Sequence, residues 1–447
     1  MQASGELASG GRERGAAEAS ENGRAAFRRA ADRVLARCGE LSLLTDEPGT
    51  ISRSFLSAAA ADAQSRVAGW FGEAGLNVLI DPAGNVVGHR RAASESAPDS
   101  SAGAGTFVIG SHLDTVPESG SLDGVLGVLA GLEAVAMLGD QPMPIHVDVV
   151  GTSEEGGTRF GLPYTGSRAL TGALPDDVLN RRDRHGQSVA AAIDSFGLDP
   201  AQLTRSAYGP DRLLGYLELH IEQGPVLHKR DLPLGIVSAI HGQSRILLAF
   251  EGQAGHAGTV PMDQRRDALV AAARMIVEAQ DYGRSIAGLR ATVGQINVEP
   301  NARNVVPGRV VLSVDVRHDL DEIREIAVEA LIQLAQNAAA ENGLQWRVVD
   351  LQATPAVTLD PDLQRRLAAA AADCRVAVGE LPSGSGHDAV IFARRCPAAM
   401  LMLRQRDDLT DRAAEAIDPD DLADAIRVLH RCLLRLPRPA PDIVDLP

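Results

Sequence analysis

The sequence predicts an α/β protein, a mostly parallel sheet covered by helices, interrupted by an inserted α+β domain. Three observations carry this. Short apolar runs alternate with helical stretches through the first half of the chain, and such alternation argues for parallel strands joined by crossover helices. After His241 the strands instead alternate apolar and polar residues, the mark of an antiparallel sheet with one buried face. Beyond about residue 350 the α/β pattern returns.

Taken in order, residues 106–111 read as a buried strand and 125–138 as the helix after it. Residues 145–151, 215–221 and 234–240 are further apolar strands, while 94–105, rich in Ser, Ala and Gly, is a surface loop. In residues 309–318, Val310, Leu312, Val314 and Val316 share one face, and Ser313, Asp315 and Arg317 the other. Residues 244–251 alternate in the same way; 266–281 and 321–342 are the domain's helices. A helix at 361–378, a strand at 398–403 and a last helix at 419–434, with Asp418 as N-cap and Pro419 at its first position, complete the chain. The expected divisions are a disordered tail over 1–24, a catalytic domain in two parts (25–240 and 351–447), and an inserted domain over 241–350.

The chain has 447 residues, 45% of them hydrophobic, enough for two or three domains with a sizeable core. Its formal charge of −16 argues against nucleic acid or an anionic membrane as partner. No apolar run reaches the roughly 18–20 residues of a membrane span, and the first 22 residues lack the apolar core of a secretory signal. Four cysteines without a CxxC pair read as reduced thiols. A cytoplasmic protein is the expectation.

The chemistry concentrates at strand ends. Gly110-Ser111-His112-Leu113-Asp114 follows the first strand; Leu122-Asp123-Gly124 precedes a helix; Glu154-Glu155-Gly156 follows the strand at 145–151. His220 ends another strand, and His387 sits in a Gly-rich turn before a helix. Open α/β sheets build their sites at such corners. Singly, a His at a strand end is usually structural, Asp-Gly a turn, and a Glu pair a solvated face. Their joint occurrence at successive corners points instead to a ligand set of three His and several carboxylates, suited to Zn, Mn or Co.

These motifs, together with Tyr216-Leu-Glu-Leu-His220-Ile-Glu-Gln-Gly-Pro225, Gly255-His-Ala-Gly-Thr259, Asn304-Val-Val-Pro-Gly308 and Ser385-Gly-His-Asp-Ala389, resemble the M20 metallopeptidase-like group. More narrowly they resemble its amidohydrolase branch of allantoate amidohydrolases, N-carbamoyl-L-amino acid hydrolases and ureidopropionases, over about residues 25 to 435. The resemblance implies two divalent metal ions per chain, with His112 and His220 on one, Glu155 and His387 on the other, and Asp123 bridging. It implies that Asp114 buttresses His112 and that Glu154 is the general base. It also makes the inserted domain a lid and dimerisation domain of a homodimer. There His256 would stabilise the oxyanion across the dimer, Arg317 would clamp a substrate carboxylate, and Asn304, with Gln223 of the catalytic domain, would contact substrate. Read alone, Gln223 and Asn304 are turn residues, His256 a surface His and Arg317 a solvated strand residue.

The expected reaction is hydrolysis of a carbamoyl or ureido C–N bond in a small carboxylate, with allantoate ahead of N-carbamoyl-L-amino acids. Two departures from the branch stand out. The Glu154-Glu155-Gly156-Gly157-Thr158-Arg159 loop is one residue longer, and the segment Asp408–Glu415 lacks a Ser-His pair seen near the branch's C-terminus. The alternatives are a di-metal aminopeptidase or deacylase, a serine hydrolase using Ser383 or Ser385, and a non-catalytic binding protein of this fold.

Overall fold

The computed structural model describes residues 6–93, 105–116, 120–209, 211–406 and 415–436. The expected loop at 94–105 therefore lies, but for its last residue, outside the described residues. The expected tail over 1–24 falls on residues 1–5, also outside them, and on the start of the helix Glu6–Ser42. The chain divides into two compact units, residues 1–238 with 359–381 and 387–447, and residues 239–358 with 382–386.

The first unit is the α/β body. Its large sheet has four parallel strands at the centre, in the order His146–Thr152, Thr106–His112, Leu213–Ile221, Ala398–Leu403. Antiparallel strands flank them: Val86–Arg90 and Asn77–Ile80 on one side, Leu234–Ile240 on the other. The central strands are buried along nearly their whole length, which is why they read as unbroken apolar runs. The helix Val125–Ala136 packs on them with ten of its apolar and small residues buried, and the amphipathic helix Pro419–Leu433 packs beside it. Asp418 caps the last helix through Asp420 N–H, with Pro419 next to it, as expected. The first helix joins this core through Ala30, Val34, Cys38 and Leu41, and Arg33 grips the buried Glu133 at 2.6 Å.

The second unit is a four-stranded antiparallel sheet, ordered Gln345–Thr354, Gly242–Glu251, Arg309–His318, Arg290–Glu299. Strand Arg309–His318 alternates strictly, with Val310, Leu312, Val314 and Val316 buried beside Ile246, Leu248 and Phe250 against the helices Ala268–Ser285 and Asp321–Glu341. Among the described residues no helix is long and apolar enough to cross a membrane.

Candidate metal centre

The parallel strands deliver their C-terminal residues to one place. His112 pairs in register with Thr152, two residues before Glu154, and His220 pairs with Met402 of the next strand. Between them the chain turns through Asp123-Gly124 into the helix Val125–Ala136. Gly124 has φ of +72°, and a Cβ there would lie 2.4 Å from the His112 ring, so glycine is required.

His112, Asp123 and His220 place one ligand atom each within 4.8 Å of the others. Asp123 Oδ1 lies 3.2 Å from His220 Nε2 and 3.9 Å from His112 Nε2. Both histidines turn Nδ1 to a main-chain carbonyl, His112 to Asp114 at 2.9 Å and His220 to Ile221 at 3.0 Å. That fixes the ring orientation and presents both Nε2 atoms to the same carboxylate. The His387 ring stands 4.6 Å from the His220 ring, and Gln223 Nε2 donates to Asp123 Oδ1 at 3.2 Å. Nitrogen and carboxylate donors converging in this way fit divalent ions of the Zn, Mn or Co type.

Asp114 supports the site differently from the expected carboxylate buttress. Its carboxylate lies 3.9 Å from His112 Nδ1, and the support comes from its main-chain oxygen. The carboxylate accepts instead from Glu155 N–H at 3.0 Å and Gly156 N–H at 3.4 Å, holding the Glu-Glu turn.

That turn sets Glu154 apart from Glu155. Glu154 is buried in a left-handed conformation, φ +54°, a costly backbone state for a non-glycine residue that concentrates at functional sites. Its Oε1 accepts from Arg159 N–H at 3.0 Å, while its buried Oε2 has no hydrogen-bond partner. The loop after the two glutamates is pinned. Gly157 has φ +66°, where a Cβ would meet the Pro163 backbone at 2.5 Å. The Arg159 guanidinium binds the Phe55 and Leu56 carbonyls, Asp183 and Gln187.

The electrostatics are those of a crowded anionic pocket. Burial and the nearby Asp114 charge push Glu154 up to about 8, and burial raises Glu155 to about 8 against the pull of His112. Burial alone would lower His112, but Asp123, Glu155, Asp114 and Asp388 reverse this and raise it to about 10. Burial and the neighbouring His220 and His112 hold His387 well below its usual value.

Three further acids support the site and were not read from sequence. Glu218 lies under it, accepting from Ser111 Oγ and Ala389 N–H at 3.1 Å each, and so ties a central strand to the helix after His387. Asp388 is fully buried and accepts from Thr152 Oγ1. Glu415 accepts from the N–H groups of Leu122 and Asp123. Residues 408–414 of the segment lacking Ser-His lie outside the described residues, but Glu415, its last residue, is in place.

His256, Asn304 and Arg317 belong to the second unit. His256 is exposed on a two-residue strand paired with Val305–Val306, and its Nδ1 accepts from Gly258 N–H at 3.1 Å. Ala257 N–H donates to the Asn304 carbonyl at 2.9 Å, so the two candidate residues sit on adjoining turns. Arg317 is held by its strand neighbour Asp315 through two hydrogen bonds, 2.7 and 3.1 Å, and by the Gly384 carbonyl at 2.9 Å.

The chain is 35% identical to an N-carbamoyl-L-amino acid amidohydrolase of Geobacillus stearothermophilus, over 91% of this chain and 98% of that protein. It is 34% identical to a probable allantoate deiminase of Oryza sativa subsp. japonica, over 88% and 85%. A crystal structure of an amidase of the hydantoinase/carbamoylase family from Burkholderia multivorans superposes with a TM-score of 0.81 at 30% identity, covering 90% of this chain and 97% of that one. The profile of peptidase family M20/M25/M40 matches residues 108–435, and the chain belongs to that family.

Proposed function

We propose that the protein is a metal-dependent amidohydrolase that cleaves a carbamoyl or ureido C–N bond in a small carboxylate, either allantoate or an N-carbamoyl-L-amino acid. The observation that carries this reading is the convergence of His112, Asp123 and His220 within 4.8 Å at the strand ends. The choice of bond is supported by the activities named for the relatives, and the unpartnered Glu154 Oε2 beside the site supplies a base.

In this reading His112, Asp123 and His220 would hold one divalent ion, and Glu155 and His387, with Asp123 shared, would hold a second; Zn, Mn and Co suit the set. Bound there, the ions would supply Lewis-acid polarisation of a poorly electrophilic ureido carbonyl and would acidify water. Glu154 takes the proton of the attacking water at Oε2 and passes it to the departing nitrogen. Asp114 keeps Glu154 and Glu155 apart in role by fixing the turn between them. Gln223 and Asn304 orient the substrate, and Arg317 binds its carboxylate. His256 donates to the developing oxyanion from the partner subunit of a cytoplasmic homodimer.

A panel of allantoate, N-carbamoyl-L-amino acids, dipeptides and N-acetyl amino acids, with each of the three metals, tests this. Ammonia release from a carbamoyl or ureido substrate is expected. Turnover confined to dipeptides or N-acetyl amino acids would replace the reading with an aminopeptidase or deacylase.

A further inference from the structure

Away from the metal residues, the first unit carries a polar cavity of about 380 Å³, within the size range of small-molecule sites. It is lined by Arg24 and Arg28 of the first helix, Arg375 at the end of the helix Pro361–Cys374, and Asp420, Asp424 and Arg427 of the last helix. Four guanidinium groups thus face two carboxylates, and a third carboxylate, Asp32, pairs with Arg28, which leaves an excess of one positive charge in a chain of charge −16.

Two of the four are engaged. Arg28 pairs with Asp420 and, at 3.1 Å, with Asp32. Arg427 reaches Asp424 at 2.9 Å and the Cys374 carbonyl at 2.7 Å, but its buried Nε–H has no hydrogen-bond partner. Among the described residues, the guanidinium groups of Arg24 and Arg375 make no hydrogen bond or ion pair. Arg375 is also held in the left-handed region, φ +56°, a position glycine would occupy more easily. Like charges gathered around one cavity repel unless an anion sits among them.

We propose that this cavity binds a small phosphate-bearing molecule. A phosphate monoester carries about −1.5 to −2 charges at pH 7, opposite in sign to the excess, and planar guanidinium forks bind phosphate through paired hydrogen bonds. Arg24 and Arg375 offer two guanidinium forks that make no hydrogen bond or ion pair among the described residues. None of the six residues belongs to the metal centre, so the site is additional to the catalytic one.

Calorimetric titration of the metal-loaded protein at constant ionic strength tests this, with glycerol 3-phosphate, inorganic phosphate and succinate as probes. Glycerol 3-phosphate should bind saturably, and the double variant R24A/R375A should bind it at least tenfold more weakly with unchanged hydrolytic activity and Tm. Arg375→Gly, which relieves the left-handed backbone, should weaken binding without lowering Tm. A phosphate held at the metal centre would bind wild type and double variant alike, so unchanged affinity in the double variant overturns the proposal. A response that never saturates overturns it too. Succinate carries two charges on separate carboxylates, and succinate binding as tight as glycerol 3-phosphate would overturn the assignment to phosphate.

Discussion

Glu415 holds Asp123 from behind. Its carboxylate accepts from Asp123 N–H at 3.0 Å and from Leu122 N–H at 2.6 Å, fixing the loop that carries the expected bridging ligand. Gly120 completes the fit, since a Cβ there would fall 1.9 Å from the Glu415 carboxyl carbon. Burial and the adjacent Asp123 charge push Glu415 up to about 7. Removing such an outer partner typically costs roughly 10–100-fold in metal affinity. Glu415→Ala is therefore expected to lose metal to a chelator at least tenfold faster than wild type while keeping its secondary structure. Metal retention equal to wild type, measured by metal analysis after timed dialysis, would show that the anchor is dispensable.

What was legible in the sequence follows from range. The strands Arg309–His318 and Ala398–Leu403 and the cap at Asp418 are local patterns, and the structure places them where the residues put them. The strands Arg290–Glu299 and Gln345–Thr354 escaped because they are sheet edges, exposed on most of their length, and a bulge in each shifts the phase of the apolar alternation in mid-strand. His112, Asp123 and His220 were recognisable as motifs at strand ends. Glu218 and Glu415 were not, since their roles depend on partners 107 and 293 residues away. Arg317 was read correctly as lying on the polar face, but its pairing with Asp315 on that same face was not drawn from the i, i+2 spacing that allows it.

The metal-free site should make stability fall as pH rises above neutrality. Unfolded, Glu titrates near 4.3 and His near 6.5, whereas in the folded chain Glu154 and Glu155 hold their protons to about 8 and His112 to about 10. Between those limits the native state binds more protons than the unfolded one, so unfolding free energy decreases with pH. The buried neutral His387 acts in the opposite sense, but only below about pH 6.5. Chelated protein is expected to show a Tm that drops steadily from pH 7 to 9. Divalent metal replaces the protons, so the gain in Tm on adding it should grow over the same interval. A metal-induced gain that shrinks towards pH 9 would contradict this.

The two glutamates of the turn should separate in their effects. Glu154→Gln keeps the Asp114-held turn, since Asp114 binds the backbone N–H groups of Glu155 and Gly156 rather than Glu154. It removes the base at the unpartnered Oε2, and general-base help is worth roughly 10²–10⁴ in rate. The expected outcome is full metal content with kcat reduced by about that factor. Glu155→Gln should instead lower metal content first. Normal turnover by metal-replete Glu154→Gln would require another base.

The last prediction concerns how Arg317 is kept ready. Its guanidinium lies on the polar face of a rigid strand, and Asp315, two residues back on that face, occupies two of its donors. Asp315 also accepts from Gln243 Nε2 at 2.5 Å and lies 3.6 Å from Arg245, so its own position is fixed by the neighbouring strand. The Gly384 carbonyl takes a third donor. A substrate carboxylate must therefore use the remaining donors of the fork or displace Asp315, and the gain in affinity is a difference between two carboxylates. Arg317→Ala should raise KM strongly with the metals retained. Arg317→Lys should rescue little, because an ammonium cannot bind Asp315 and a substrate carboxylate in one plane. Asp315→Asn separates orientation from competition. If Asp315 mainly orients Arg317, KM rises; if it mainly competes for the fork, KM falls. In both cases kcat should change less than KM, because the metal ligands are untouched. A substrate amide lacking the carboxylate should be poor for wild type and no worse for Arg317→Ala. If steady-state kinetics show the same preference for acid over amide in both proteins, Arg317 is not the carboxylate anchor.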